Sequence, residues 1–296
     1  MRFLPYAQLL RLPNVFTAFA DVLLGTLATA AWVVQPAGSA LLLLASGCLY
    51  CSGMVWNDYF DFAEDKRDRP FRPLPSGKIS RRTAAWLAAG LLLAGCAFAA
   101  LAGIGPSWNF RPALIAGILV AAILFYDAWL KCTPFGPLGM GACRFLNVLL
   151  AASLVEASPM VRLHLAAVVG IYIVGVTWFA RAEAGRSQPN QLRGAALVML
   201  AALLLALALP VHRPEGTVTP AFLYLLVIFG FLIGVPIVKA IGKPEAAMVQ
   251  AAVKRCVLGL IVLDAVLATV FVNLWGLLII LLLSPALLLG RRVYST

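Results

Sequence analysis

The chain has 296 residues, 62% of them hydrophobic and 12% charged, with a formal net charge of +11 and a mean hydropathy of +0.96. These values exclude a soluble globule and specify a polytopic membrane protein. They also exclude a nucleic-acid-binding module: the Lys and Arg residues fall in short stretches between apolar runs, and no basic soluble domain carries them.

A bilayer crossing needs about 17 to 25 apolar residues. In chain order such windows are predicted over 13–34, 40–57, 83–104, 112–131, 138–155, 163–181, 194–210, 219–240, 247–270 and 274–290. The first imitates a signal peptide, because Ala28-Thr29-Ala30 resembles a cleavage site. It is nevertheless long enough to span and carries Asp21, so it is read as a mature helix. Between 257 and 290 only Asp264, Asn273 and Gly276 interrupt the apolar run. The last two windows are therefore two helices or one long bent one, and the total is nine or ten. The expected fold is all-α, a single transmembrane helical domain over 1–296.

On this plan Arg2, Arg11, the 66–82 cluster, Lys131, Arg144, the 181–193 group, Lys239, Lys243, Lys254, Arg255, Arg291 and Arg292 share one side. Arg111, Arg162 and Arg213 remain on the other. Positive loops stay in the cytoplasm, which places both termini there, in a bacterial or archaeal cytoplasmic membrane. The six cysteines lie in or beside apolar runs. Cys48 and Cys51 form a C-x2-C without a second pair, which fits packing residues rather than zinc.

One segment, Asn57 to Gly77, concentrates charge at a membrane edge: NDYFDFAEDKRDRPFRPLPSG. Charge beside hydrocarbon is expensive and points to a polar ligand. Asn57, Asp61 and Asp65 are four apart, which stacks them on one helix face with Asp58 alongside. Carboxylates at this density suit Mg²⁺, which takes one or two of them and completes its shell with water and phosphate oxygens. Arg72 and the neighbouring cations would meet the remaining phosphate charge, and Pro73-Leu74-Pro75-Ser76-Gly77 predicts a stiff turn. The competing reading is a solvated helix end laced with Asp/Arg pairs. The acid spacing, the turn and the membrane setting together favour the site.

At these residues the chain resembles the UbiA superfamily of intramembrane prenyltransferases. Asn57-Asp58-x-x-Asp61-x-x-x-Asp65, followed by Arg72-Pro73-Leu74-Pro75-Ser76-Gly77, looks like the family's first aspartate-rich motif. Its form is most similar to the branch of chlorophyll synthases and digeranylgeranylglyceryl-phosphate synthases. Arg11, Pro13 and Asn14 resemble the family's opening, and Tyr126 with Lys131 the end of its fourth helix. The resemblance implies helices around a central cavity open sideways to lipid. It also implies Mg²⁺ as cofactor and transfer of a prenyl group from a polyprenyl diphosphate to a lipophilic acceptor within membrane lipid.

Carried over to this chain, it assigns Mg²⁺ and catalysis to Asp58, Asp61 and Asp65, with Glu183 as a further metal ligand. Diphosphate falls to Asn57, Arg72, Lys131, Arg181 and Arg186, and the substrate cavity to Asn14, Asp21 and Tyr126. The second motif, within 177–193, departs from the family. Phe179-Ala180-Arg181-Ala182-Glu183-Ala184-Gly185-Arg186-Ser187 keeps one acid, with Arg186 and Ser187 where acids belong. That departure keeps a second reading open, a non-catalytic relative that binds or carries a lipophilic metabolite. A CDP-alcohol phosphotransferase is excluded by the absence of an Asp-Gly-x-x-Ala-Arg signature. Asp127 and Asp264 are further ionisable residues in apolar surroundings, expected to face the bundle interior.

Overall fold

A computed structural model describes residues 3–104, 108–181, 188–214 and 216–293, and within them every regular element is helical. A short α1 (Leu4–Leu9) precedes α2 (Leu12–Ala28) and the single turn α3 (Ala31–Val34). There follow α4 (Pro36–Phe60), α5 (Phe62–Asp68), α6 (Arg81–Ala102), α7 (Arg111–Ala128) and α8 (Gly136–Ala152). The second half comprises α9 (Pro159–Arg181), α10 (Pro189–Ala206), α11 (Ala221–Gly242), α12 (Ala246–Val272) and α13 (Leu283–Arg292).

Seven helical stretches among the described residues are long and apolar enough to cross a membrane. They are α4, α6, α7, α9, α10 with the turn after it, α11, and the tract Ala246–Arg292. α2 and α8 are apolar but have only 17 residues each, about 25 Å of helix against a hydrocarbon core of about 30 Å.

Three expectations need correction. The first window, 13–34, is not one helix. The Thr26 and Thr29 hydroxyls donate back to the carbonyls of Val22 (2.7 Å) and Gly25 (2.9 Å), a competition that bends helices. Ala30 then takes a left-handed φ of 57° before α3 begins. The last two windows are not one long helix either. The chain reverses at Asn273, where φ is 53°, and a 3-10 stretch, Asn273–Leu282, runs back against α12. The contact is so close that a Cβ at Gly276 would lie 2.8 Å from Ala268. Finally, Arg144 is no loop charge. It lies within α8 and points into the bundle.

α4 packs against α6, successive helices pack side by side from α6 through α12, and both α12 and α13 return to α2, which closes the circuit. α2 and α8 touch each other directly. A Cβ at Gly25 would sit 2.6 Å from the Ala151 Cβ, so only glycine permits this approach. The apolar core is accordingly in two parts. Ala20, Leu24 and Val148 belong to the part shared with α9–α13. Val22, Leu150 and Ala151 belong to the part shared with α4, α6 and α7. A smaller cluster of Leu9, Val55, Leu74, Ile79, Ala84 and Ala88 pins the proline-rich turn beneath α4 and α6.

Candidate active site

The helical path survives the α4–α5 junction. The Asp61 and Asp65 backbone N–H groups donate to the carbonyls of Asn57 (3.0 Å) and Asp61 (2.8 Å), so the acidic side chains stay on neighbouring turns. Each finds a cation from another part of the chain. Asp58 is buried and accepts from Arg11, at the head of α2, at 3.1 Å, with Arg72 at 3.6 Å. Asp61 pairs with the Lys131 ammonium at 2.7 Å. Asp65, 2% exposed, takes the Arg72 guanidinium on both oxygens at 3.0 and 2.8 Å. The turn that carries Arg72 is fixed by backbone bonds from Ser76 to Arg72 and from Ile79 to Pro73 and by burial of Leu74 and Ile79.

Burial works against the Arg11 charge, but the surrounding groups, Asp58 foremost with Tyr50 and Asp65, together outweigh that effect and hold the guanidinium's pKa above its ordinary value. Arg11 is therefore a permanent cation facing the acidic face. Lys131 also donates to the Asn57 carbonyl at 3.2 Å. It sits on a 3-10 turn, Leu130–Cys132, whose backbone is gripped by Arg181. That guanidinium donates to the Thr133 carbonyl at 2.6 Å and to the Lys131 carbonyl. Arg181 thus braces the turn that aims Lys131 at Asp61. Glu183 and Arg186 lie outside the described residues.

Asn57 joins this charged layer to the interior. Its amide nitrogen donates to Asp127 Oδ1 at 3.0 Å, and Asp127, with Tyr126, lines a cavity between α2, α4, α7 and α8. Most of its remaining wall is apolar, and its deep side is formed by Ser46, Tyr50, Arg144 and Asn147. The free volume, about 70 Å³, accommodates a small head group. Of the residues expected in the cavity, Tyr126 is in its wall. Asn14 and Asp21 are not: Asp21 stands behind it, bound to Arg144, and Asn14 lies beside Tyr50.

The donor set for a cation is all oxygen. The ion pairs of Asp58 and Asp61 run through Oδ1, which leaves an Oδ2 on each carboxylate. Asp65 is turned to Arg72 and does not join them. Among the described residues no three His, Cys, Asp or Glu side chains converge in a metal-binding group. Two carboxylates suffice for Mg²⁺ when phosphate and water supply its other ligands, so the residues fit that ion together with its substrate.

Two members of this constellation were not assigned a role from the sequence. Arg11 was read only as part of an opening motif, and Asp127 only as an ionisable group near an apolar run. The legible signal was spacing: Asp127 and Lys131 are four apart, as are Asp61 and Asp65.

Comparison with known proteins gives a consistent family. A family model described as the UbiA prenyltransferase family matches residues 18–248. A digeranylgeranylglyceryl phosphate synthase of Saccharolobus solfataricus is 34% identical over 130 residues, 44% of this chain and 44% of that protein. A synthase of the same name from Thermococcus kodakarensis is 30% identical over 161 residues, 54% of this chain and 52% of that protein. The chain thus matches about half the length of these curated relatives. Among solved structures, a digeranylgeranylglyceryl phosphate synthase in membranes superposes with a TM-score of 0.68 at 21% identity, covering 90% of this chain and 98% of that one. A UbiA homolog from Archaeoglobus fulgidus bound to GPP and Mg²⁺ gives 0.59 at 13% identity, covering 85% and 98%. At these identities the structures establish a shared fold.

Proposed function

The chain belongs to the UbiA prenyltransferase family, and from that membership we propose that it transfers a prenyl group from a polyprenyl diphosphate to a lipophilic acceptor inside the membrane. The observation that carries this reading is the junction of two environments. Carboxylates interleaved with Arg11, Arg72 and Lys131 meet a largely apolar cavity through the 3.0 Å contact between Asn57 and Asp127. Such a junction suits a molecule with a highly charged head and a hydrocarbon tail.

Asp58 and Asp61 would hold Mg²⁺, with Asn57 orienting phosphate. Bound there, the ion would neutralise charge that grows on the leaving diphosphate. Arg11 and Lys131 would exchange their carboxylate partners for phosphate oxygens, and Arg72 would give up only its longer contact with Asp58, as preorganised cations do in electrostatic catalysis. Asp65 would keep Arg72 in place, and Arg181 the Lys131 turn. In the reaction the allylic C1–O bond breaks and its electron pair leaves on diphosphate. The acceptor's nucleophilic atom forms the new bond to C1, and its proton passes to the Asp127 carboxylate. The largely apolar wall would keep water from the allylic cation.

The same reading completes the architecture. Ten crossings, counting α2, α8 and the return segment after Asn273, put the acidic layer, Lys131, Arg181, Lys243 and the Arg291-Arg292 pair on one side. The positive-inside rule makes that side cytoplasmic, and the cavity between α2, α4, α7 and α8 is the central, lipid-facing chamber of the family. The test uses purified protein in nanodiscs with labelled C10 to C20 prenyl diphosphates, Mg²⁺ and a membrane-lipid extract. Mg²⁺-dependent transfer that is lost in Asp61→Asn is expected. Donor binding by well-folded protein without any transfer would instead mark a carrier.

A further inference from the structure

Behind the cavity lies a second polar cluster that the diphosphate site does not use. The Asp21 carboxylate is fully buried and accepts at Oδ2 from Arg144 Nη1 and from Asn147 Nδ2, both at 2.9 Å. Arg144 Nη2 donates to the Thr17 hydroxyl at 2.7 Å, and Asn147 Nδ2 also donates to the Ala18 carbonyl at 3.1 Å. The Ser46 hydroxyl donates to Asn147 Oδ1 at 2.7 Å. Asp264, fully buried on α12, stands against Asp21, and neither of its oxygens has an N–H donor among the described residues.

This arrangement decides what can bind. Both N–H groups of Asn147 are used, on Ala18 and Asp21. Those of Arg144 are not: a guanidinium carries five N–H groups, and its bonds to Asp21 and Thr17 use two. The side chain forms part of the cavity wall, over the Tyr50 ring at 5.5 Å. The deep end of the cavity therefore presents N–H donors and asks for an oxygen that accepts them. The charge balance narrows the choice. Two carboxyls face one guanidinium, so the cluster sums to one negative charge, or to zero with a proton shared by the acids. In neither state is there positive charge left to offset the desolvation of an anion.

We propose that Arg144 binds the acceptor through a neutral oxygen, a hydroxyl or carbonyl, and that the Asp21–Asp264 pair excludes acceptors with an anionic head group. The inference rests on the prenyl-transfer reading above and specifies its acceptor class. Asp21, Asn147 and Ser46 are positioning residues that hold the guanidinium in the wall, and Arg144 is the group that touches substrate. The acceptor's neutral head then lies in the same cavity as Asp127, on the path of the allylic carbon.

A matched pair of probes tests this. Labelled geranylgeranyl diphosphate with Mg²⁺ is offered to the full-length protein with a 1-O-alkylglycerol, its 3-phosphate ester and an alkylphenol of equal tail length. Donor binding is measured in parallel. Transfer to a neutral acceptor at least about tenfold faster than to the phosphate ester is expected. Arg144→Lys should lower that transfer by about tenfold while donor binding is unchanged, because it loses the planar donor fork. Equal or faster transfer to the phosphate ester, an unaltered Arg144→Lys rate, or donor binding without transfer to either neutral probe would each overturn the inference. If Arg144→Lys does not accumulate as folded protein, the wild-type ratio decides alone. Absence of donor binding would instead overturn the reading beneath it.

Discussion

The two charged regions use the same residue types for opposite ends. In the layer around Asp58, Asp61 and Asp65, cations arrive from α2's head, from the proline-rich turn and from the turn after α7, and Lys131 and Asp61 keep some contact with solvent. On the proposed reading the Arg11–Asp58 and Lys131–Asp61 pairs exchange partners when phosphate and Mg²⁺ arrive, while Asp65 keeps Arg72. Around Asp21, Arg144 and Asn147 the groups project from the middles of helices packed at glycine contacts, and Asp21 and Asp264 have no exposure. The acids there have no alternative cation among the described residues, and the cluster fixes the shape and polarity of the wall. Accessibility, rather than the identity of the residues, separates an exchangeable site from a fixed one.

The sharpest way to break this contrast is Arg144→Ala. It strands the Asp21 carboxylate in the interior and should destabilise the fold by about 3–5 kcal/mol, read as a lower unfolding midpoint in detergent. Asp21→Leu in the same chain should recover part of the loss. Asp61→Asn should do the reverse, with transfer falling by about 10²–10³-fold and the melting temperature nearly unchanged.

Between these extremes, Gly25→Ala forces a methyl group against Ala151. It should cost about 1–3 kcal/mol and lower transfer only through loss of folded protein. The smallest effect belongs to the exposed Arg67–Asp68 pair. The hydrogen bond from Arg67 holds the Asp68 carboxyl below its usual range. Any stabilisation from a lowered value is complete above the unfolded pKa and is lost as pH falls through the folded one. The pair is solvated, so Asp68→Ala should melt with the wild type at both neutral and acidic pH.

Most of the charged layer was legible before the structure, because Asn57, Asp58, Asp61, Asp65 and Arg72 lie within one short segment and announce themselves by spacing. The fixed cluster was not. Arg144 reads as an orientation charge when it is grouped with the loop cations, although it lies inside the 138–155 window. Its real signature is a polar stripe on an apolar helix, Arg144 with Asn147 on α8 and Thr17 with Asp21 on α2. Arg181 was equally opaque, because its partners are backbone carbonyls of a turn far away in the chain.

By itself the sequence determined the solvent and the family: apolar windows of about bilayer length and an acidic motif beside a proline-rich turn. All of these are local properties, set by residues within a few turns of one another. The tertiary structure decided which cation faces which acid, that Asp21 stands behind the cavity wall and Arg144 within it, and that the chain doubles back at Asn273. Most of those outcomes depend on contacts between segments distant in the chain, 47 residues apart for Arg11 and Asp58 and 123 for Arg144 and Asp21. In hydrocarbon a buried charge is tolerated only where the fold brings it a partner.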